Sequence, residues 1–262
     1  MQSQQSKPRI AVHKFSSCDG CQLAFLNLGE DLLLLDEMVE IVHFAEAGML
    51  DESARVDIAF VEGSISTHED IQRIKHIREQ SQHLVTIGAC ATAGGLQALR
   101  NLAQADDWLA AIYPTTDYID SLAQVTPISA QVHVDFELWG CPINQRQLLT
   151  LIRSLLWDAL PDIEQDKLCL ECKRQQHVCV MVTQGTACMG PVTRNGCGAL
   201  CPSVGRGCYG CYGPGENPNT TALAQRFEGL GLLPAQIANQ FLAINSQVEP
   251  FTTAGKNWKD KS

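Results

Sequence analysis

The chain has 262 residues, of which 45% are hydrophobic, and its formal net charge at pH 7 is −10. That length allows one well-buried core and a smaller second unit. The acidic balance and the lack of any basic block argue against binding to nucleic acid, which depends on Lys and Arg at the phosphates, and against docking on anionic membranes.

The N-terminal stretch, MQSQQSKPRIAVHKF, contains neither an apolar h-region nor a twin-arginine pair, so we expect no secretory signal. The longest apolar run near it, at residues 32–35, is too short to span a bilayer. We therefore predict a cytoplasmic protein without a direct membrane span. Because the cytoplasm keeps thiols reduced, the twelve cysteines favour bound metal over disulfides, which remain an alternative.

Short apolar segments alternate with helical patterns over the first 160 residues. We predict strands at residues 8–15, 39–44, 56–61, 84–87 and about 131–138. Helices are predicted at about 22–34, from 67 or 69 to 80, and at about 144–160. The alternation predicts an α/β fold, a flavodoxin-like parallel sheet with helices on both faces, over residues 1–160.

A second unit is predicted from residue 161 to residue 262. It contains a small, irregular cysteine-rich segment and a C-terminal tail with helical patterns near residues 220–228 and 234–245. The last dozen residues are polar, and we expect them to fray.

Four cysteines follow predicted strands of the first unit. Cys18 and Cys21 come after the first strand, and Cys90 and Cys141 come after two later ones. Ligands of parallel sheets bind outside the carboxyl ends of the strands, so these four thiols should converge at one end of the sheet. A thioredoxin-like dithiol remains an alternative for Cys18 and Cys21, because a CxxC motif between a strand and a helix is typical of it.

The other eight cysteines lie within 43 residues, at 169–211, where core-forming residues are scarce. Such a segment cannot fold by apolar burial alone, so a group bound to its thiolates must hold it. Two zinc sites are possible, but the mixed spacings and the Cys-Pro pairs at 141–142 and 201–202 favour cubane iron–sulfur clusters. Twelve cysteines divide into three sets of four and thus predict three [4Fe–4S] clusters.

The motifs SSCDGCQLAFLN, VEGSI, GAC and GCP resemble the small subunit of nickel–iron hydrogenases. The run CMGPVTRNGCGALCPSVGRGCYGCYGP, at residues 188–214, resembles its cytoplasmic branch, which includes the sulfhydrogenase delta subunit and the small subunits of methyl-viologen- and F420-reducing hydrogenases. This resemblance implies a flavodoxin-like domain with a proximal [4Fe–4S] cluster on Cys18, Cys21, Cys90 and Cys141, followed by a domain with two more clusters.

The resemblance also implies a role and partners. The chain would be the electron-transfer subunit of a cytoplasmic, bidirectional hydrogenase, and would itself hold no nickel, flavin or nucleotide. The nickel–iron centre would belong to a large subunit, and iron–sulfur or flavin subunits of the diaphorase type would exchange the electrons. The spacings do not fix how the other eight cysteines divide between the two further clusters. As a first division we take Cys169, Cys172, Cys179 and Cys211 for one cluster, and Cys188, Cys197, Cys201 and Cys208 for the other.

Several other residues have open roles at this stage. His177 lies among the cysteines but is not needed as a ligand, and His13, His43 and His133 are expected to be packing residues in strands. Glu62 ends a strand beside the proximal site, where it either orients the loop, faces a partner or is a plain loop-end carboxylate.

Two other functions remain open. One is an electron-transfer module of a complex-I-like oxidoreductase, although that family has adjacent cysteines where Asp19 and Gly20 separate Cys18 from Cys21. The other is a zinc-stabilised binding module.

Overall fold

The computed structural model describes residues 7–261; the first six residues of the N-terminal stretch and Ser262 lie outside the described residues. Six strands form one sheet in the order β3-β2-β1-β4-β5-β6. Only β3 is antiparallel to its neighbour. Their bounds are β1 Arg9–Lys14, β2 Glu40–Phe44, β3 Met49–Leu50, β4 Val56–Glu62, β5 Ser81–Ile87 and β6 Phe136–Leu138. Without β3 this is the strand order of flavodoxin-like sheets, so the predicted fold class is confirmed.

Helices connect the strands and build most of the regular structure of the C-terminal part. Those of the first part are α1 Gly20–Leu26, α2 Glu30–Met38, α3 His68–Gln80, α4 Gly88–Ala93, α5 Ala105–Ile112 and α6 Gln145–Leu156. Those that follow are α7 Leu168–Arg174, α8 Val180–Thr183, α9 Leu200–Ser203, α10 Thr220–Gly229, α11 Pro234–Phe241 and α12 Glu249–Lys259. Short 3₁₀ helices lie at Ala45–Ala47, Gly95–Leu102 and Ile128–Ala130.

Helix α3 shows why the sequence folds as predicted here. The Thr67 hydroxyl accepts a hydrogen bond from the Asp70 N–H (3.1 Å), and the Asp70 carboxylate accepts one from the Thr67 N–H (3.0 Å). This reciprocal capping box satisfies donors that would otherwise be unpaired at the helix start. Ile74 and Ile77 are buried against the sheet, each worth about 1.5–3 kcal/mol.

The structure corrects several predicted boundaries. The helix predicted at residues 22–34 is two helices, separated at Gly29, whose φ of +62° is one that residues with a side chain rarely adopt. The strand predicted at 131–138 is only β6, and the His133 side chain before it is 81% exposed, so it is not a packing residue. The helix predicted to reach residue 160 ends at Leu156.

The expectation that the last dozen residues fray was wrong. Helix α12 packs against α11, and Phe251, Ala254 and Trp258 on α12 are buried. The spacing i, i+3, i+7 of these three residues is the signature of an amphipathic helix. The contact with α11 is so close that a Cβ on Gly255 would lie 2.3 Å from Leu242 Cγ.

The buried side chains form three clusters. The two faces of the sheet each have one, with Phe60 and Leu148 in the first and Ile74 and Leu84 in the second. The third lies wholly within residues 168–258 and is built on aromatic and aliphatic side chains of α10, α11 and α12. This arrangement agrees with a second unit after the sheet, and the division at residue 160 stays a prediction.

Candidate metal centres

Four cysteines lie where three parallel strands end. Cys18 and Cys21 follow β1, Cys90 lies in the first turn of α4 directly after β5, and Cys141 follows β6. The carboxyl ends of these strands share one edge of the sheet, which is how residues far apart in the chain come together. The structure brings these four cysteines together, and their role as ligands stays a prediction.

The four thiols are close enough to affect one another's ionisation. Burial raises the pKa of Cys90 to about 11, and the neighbouring Cys141 and Cys18 add to the rise. Burial also raises the pKa of Cys21, with Glu62, Cys141 and Cys90 contributing. All are free thiols. Crowded thiols of this kind become thiolates readily only when a bound cation compensates their charge, as iron would.

Two glycines let the backbone pass directly against sulfur. A Cβ on Gly88 would lie 2.3 Å from Cys21 Sγ, and a Cβ on Gly95 would lie 2.7 Å from Cys90 Sγ. Both glycines have a positive φ, of +86° and +53°. The first set of thiols therefore sits against bare backbone, which leaves room on its other side for a bulky metal group.

Glu62 ties this region to the sheet. It is the last residue of β4 and only 2% exposed, and its Oε1 accepts a hydrogen bond from the Cys21 N–H (3.0 Å) while Oε2 accepts one from the Gln22 N–H (3.2 Å). Burial raises the pKa of the carboxyl although these donors act in the opposite direction. Of the roles left open by the sequence, the contacts support orientation of the loop between β1 and α1.

A second group of thiols is formed by the first four cysteines of the cysteine-rich segment. Cys169 and Cys172 lie on α7, Cys179 directly precedes α8, and Cys188 approaches from the following loop. A Cβ on Gly190 would lie 3.4 Å from Cys188 Sγ and 3.5 Å from Cys169 Sγ. Burial raises the pKa of Cys169 to about 11, and Cys188, Cys172 and Cys179 add to the rise. These four cysteines are therefore neighbours.

A third group lies between the other two. Cys197 precedes α9, Cys201 lies on it, and Cys208 and Cys211 form the CxxC pair that follows. Burial raises the pKa of Cys211 to about 12, and Cys197, Cys141 and Cys201 add to the rise. Cys211 therefore lies near Cys141 of the first thiol group as well as near Cys197 and Cys201 of its own group.

The three groups are in contact in a row. The Cys208 N–H donates a hydrogen bond to Cys188 Sγ (3.2 Å), which links the third group to the second. A cavity of about 520 Å³ links the third group to the first, with Cys141, Pro142, Cys197, Cys201, Cys211 and Tyr212 among its lining residues. In space the order is thus first, third, second.

Aromatic side chains hold the sheet against the cysteine-rich part. The Tyr212 hydroxyl donates a hydrogen bond to the carbonyl of Pro142 (3.2 Å). Its ring is enclosed by backbone, because a Cβ on Gly140 or on Gly196 would lie 2.9 or 2.2 Å from a ring carbon. Nearby, the Arg194 guanidinium stacks over the Trp139 ring at 4.6 Å. The Tyr212 contact was not predicted from the sequence, although an aromatic residue directly after a CxxC pair is a visible signal.

The histidines differ from the sequence expectation. His177 Nε2 lies 2.7 Å from the side-chain oxygen of Gln175. His13 and His43 are buried in strands as predicted, but neither Nδ1 has a hydrogen-bond partner within the described part of the chain. They are therefore not satisfied packing residues. Among residues 7–261, no helix has the length and apolarity needed to cross a membrane.

Comparison with known proteins shows the family. The profile described as NADH ubiquinone oxidoreductase, 20 kDa subunit, matches residues 18–155. The chain belongs to this family. Among its relatives, the delta subunit of sulfhydrogenase 2 from Pyrococcus furiosus is 32% identical, over 82% of this chain and 90% of the relative. A vhu subunit of the F420-non-reducing hydrogenase from Methanococcus voltae is 28% identical, over 95% and 98%.

Further relatives extend the comparison. The delta subunit of the NAD-reducing hydrogenase HoxS from Cupriavidus necator is 31% identical, over 59% of this chain and 81% of the relative. A chain in the crystal structure of an NAD⁺-reducing [NiFe]-hydrogenase is 28% identical, with a TM-score of 0.56 over 60% of this chain and 95% of that one. A chain of the actinobacterial-type NiFe-hydrogenase from Ralstonia eutropha H16 shares the fold, with a TM-score of 0.60 at 15% identity over 98% and 91%. This member of the family is a hydrogenase subunit.

Proposed function

We propose that this chain is the electron-transfer subunit of a cytoplasmic, bidirectional nickel–iron hydrogenase and that its twelve cysteines hold three [4Fe–4S] clusters. The observation that carries the proposal is the row of three thiol groups, which contact one another through Cys141 and Cys211 at one junction and through Cys188 and Cys208 at the other. A row of redox centres is what a subunit needs in order to move electrons between a catalytic metal and a separate acceptor.

The first cluster would be held by Cys18, Cys21, Cys90 and Cys141. Cys18 is exposed at the edge of the sheet while Cys21 is buried, so this site has one side open to the surroundings. A large subunit that carries the nickel–iron centre would cover that side. We therefore expect the isolated chain to be poorly soluble or unstable, and a cluster-loaded, well-folded monomer in solution would contradict this part of the proposal.

For the other two clusters the contacts favour a different division from the one first taken from the sequence. Cys188 approaches Cys169 across Gly190, whereas Cys211 lies beside Cys197 and Cys201. We therefore exchange Cys188 and Cys211. The ligand sets become Cys169, Cys172, Cys179 and Cys188 for the cluster farther from the sheet, and Cys197, Cys201, Cys208 and Cys211 for the middle one.

The residues of this chain bind the clusters, shield them and fix their spacing. Each bound cluster supplies a one-electron centre whose potential depends on burial, on charge and on N–H bonds to sulfur. Gly210 donates its N–H to Cys208 Sγ (3.3 Å), and this donor would stabilise the reduced, more negative form. Tyr212 and Trp139 keep the middle and first sites at a fixed separation.

The electron acceptor would be an iron–sulfur or flavin subunit of the diaphorase type. The name of the HoxS relative, an NAD-reducing hydrogenase, supports this choice of partner. The partner would dock near Cys179, which is the exposed member of the outermost thiol group.

Metal analysis of the purified complex tests the proposal. Three cubanes predict about twelve iron atoms and about twelve acid-labile sulfides for this chain, beyond those of its partners. Zinc without sulfide would reject it and would favour the zinc-stabilised binding module.

The exchange of Cys188 and Cys211 has its own test. Alanine variants of Cys179, Cys188 and Cys211 in the complex should each lose the EPR signal of one reduced cluster. We expect the Cys179→Ala and Cys188→Ala variants to lose the same signal and Cys211→Ala to lose a different one. Loss of one common signal in Cys179→Ala and Cys211→Ala would restore the division first taken from the sequence.

A second function is supported by the family profile, which is described as a subunit of NADH ubiquinone oxidoreductase. The alternative left open by the sequence, a complex-I-like assembly without hydrogenase activity, is one that the hydrogenase relatives argue against. Nickel analysis and hydrogen uptake by the same complex decide between the two, because the alternative predicts neither.

A further inference from the structure

Three potential metal ligands lie together on the face of the sheet that α3 covers. His13 on β1 and His43 on β2 are diagonal neighbours, since His43 pairs with Ala11, two residues before His13. Their rings stack, with centroids 4.6 Å apart and an angle of 20° between the ring planes. Glu52, in the turn after β3, places its Oε1 3.8 Å from His43 Nε2. One donor atom from each residue lies within 4.8 Å of the others.

The two imidazoles are buried without adequate partners. His13 is 3% exposed and His43 is 2% exposed, and neither Nδ1 has a hydrogen-bond partner in the described structure. A buried polar atom destabilises the fold when it is left unpaired. Two buried imidazoles that each keep an unpaired nitrogen, with one donor atom apiece within 4.8 Å of a carboxylate oxygen, suggest a ligand shared by the three side chains.

The turn that carries this carboxylate is held in position. The Asp51 side chain accepts hydrogen bonds from the N–H (3.2 Å) and hydroxyl (2.9 Å) of Ser53, which fixes the turn that carries Glu52. Arg73 on α3 donates a hydrogen bond to Glu52 Oε1 (2.8 Å) and another to the Lys14 carbonyl (2.6 Å). Metal-bound carboxylates commonly have such outer partners, which orient them.

We propose that His13, His43 and Glu52 bind one divalent transition-metal ion of the zinc type, at a site separate from the cysteines. Two imidazole nitrogens and one carboxylate, with a fourth position open to water, make a familiar donor set for zinc. The ion would tie β1 and β2 to the turn after β3 at the edge of the sheet. The site is independent of the proposed iron–sulfur function.

Binding requires a small closure of the site. Zinc–nitrogen bonds of about 2.0–2.1 Å in a tetrahedral site bring donor atoms to within about 3.3–3.4 Å of one another. The side chain of Glu52 is 55% exposed and can move inward, while one imidazole must tilt out of the stack. Zinc binding therefore breaks the parallel stacking of the rings.

Burial keeps the histidines neutral, which is the form that binds metal. Burial lowers the pKa of His13 to about 3, with His43, Arg73 and His76 contributing. Burial likewise lowers the pKa of His43, and Arg73 adds to this while Glu52 and Asp51 oppose it. The carboxylates of Glu52 and Asp51 offset the repulsion between Arg73 and a bound cation.

The test measures zinc binding by the assembled complex, with its clusters in place. After treatment with a chelator, the complex is titrated with Zn²⁺ against a chromophoric competitor. We expect the wild type to bind one more tight equivalent than the Glu52→Ala variant, whose affinity at this site should fall more than tenfold. Zinc-edge X-ray absorption of that equivalent should show two imidazoles, a signature that exposed carboxylates do not produce.

Two control variants separate this site from surface binding. His68 forms an exposed pair with Asp120 (2.6 Å), and Glu40 is a 60% exposed carboxylate on β2. His68→Ala and Glu40→Ala should keep the tight equivalent. The proposal is overturned if Glu52→Ala binds zinc as the wild type does, or if the control variants lose the equivalent equally. Because Glu52 is on the surface, its variant should assemble even where His43→Ala does not.

Discussion

Replacement of Gly88 by alanine tests how the first thiol site is built. Gly88 opens α4 with a φ of +86°, and an added Cβ would lie 2.3 Å from Cys21 Sγ and 3.5 Å from the Gly140 carbonyl oxygen. The substitution therefore has two costs. A left-handed backbone costs a residue with a side chain about 1–2 kcal/mol, and overpacking costs a further amount of about 1–3 kcal/mol.

A control variant, Gly48→Ala, separates the backbone cost from the overpacking cost. Gly48 also has a positive φ, of +84°, but a Cβ there would meet nothing within 4 Å. Gly48→Ala should carry only the backbone cost, so Gly88→Ala should destabilise the protein by about 1–3 kcal/mol more. Because the methyl group displaces the Cys21 sulfur, we also expect Gly88→Ala alone to lose one cluster, or about four iron atoms per chain.

The assay combines thermal unfolding of the complex with iron analysis and EPR of the reduced clusters. A Gly88→Ala complex with wild-type iron content and a midpoint no lower than that of Gly48→Ala would refute the reasoning. It would mean that the Cys21 sulfur does not need the bare backbone beside it.

Buried polar groups lead to three more predictions. The pKa of His13 is about 3 in the folded protein and about 6.5 when unfolded. Below about pH 6.5 the unfolded state binds the extra proton, so the free energy of unfolding of the chelator-treated protein should fall by about 1.4 kcal/mol per pH unit. The thermal midpoint should fall less steeply with pH in His13→Gln, and an equal slope would contradict this. Glu62→Gln should cost about 1–3 kcal/mol at pH 7, since one of the two N–H groups of α1 loses its acceptor, and a thermal midpoint equal to that of the wild type would count against it. Tyr212→Phe should cost about 1 kcal/mol for its hydrogen bond and Tyr212→Ala about 3–5 kcal/mol for the ring, a difference that calorimetry of the two variants can measure.

The sheet and its first thiol site were predictable because local patterns define both. Apolar runs indicated β1, β2 and β4, and a helical pattern that began at residue 67 or 69 indicated α3. Cysteines after strands then had to share one edge of the sheet, whatever their separation in sequence. The meeting of these four cysteines therefore follows from the alternation of strands and helices, which the sequence patterns indicate.

The C-terminal part was harder to predict for physical reasons. The helices that carry Cys169, Cys172 and Cys201 are short and the other thiols come from loops, so no periodicity indicates which cysteines meet. The apolar positions Phe251, Ala254 and Trp258 did carry a helical signal, but the polar residues between them obscured it. The buried histidine pair was also hidden, since a histidine in a strand pattern looks the same whether or not its nitrogens have partners.

The path of the cysteine-rich segment accounts for the exchange of Cys188 and Cys211 that we propose. The segment begins at Cys169 on α7, in the second thiol group, and it meets the first group at its end, where Cys211 faces Cys141 and Tyr212 binds Pro142. The cysteines latest in sequence are therefore nearest to the sheet. Electrons leaving the first site would pass the cluster that Cys208 and Cys211 help to hold before they reach the one that Cys169 and Cys172 help to hold. The Cys211→Ala variant should therefore lose the middle cluster, which interrupts electron transfer, and keep both outer clusters.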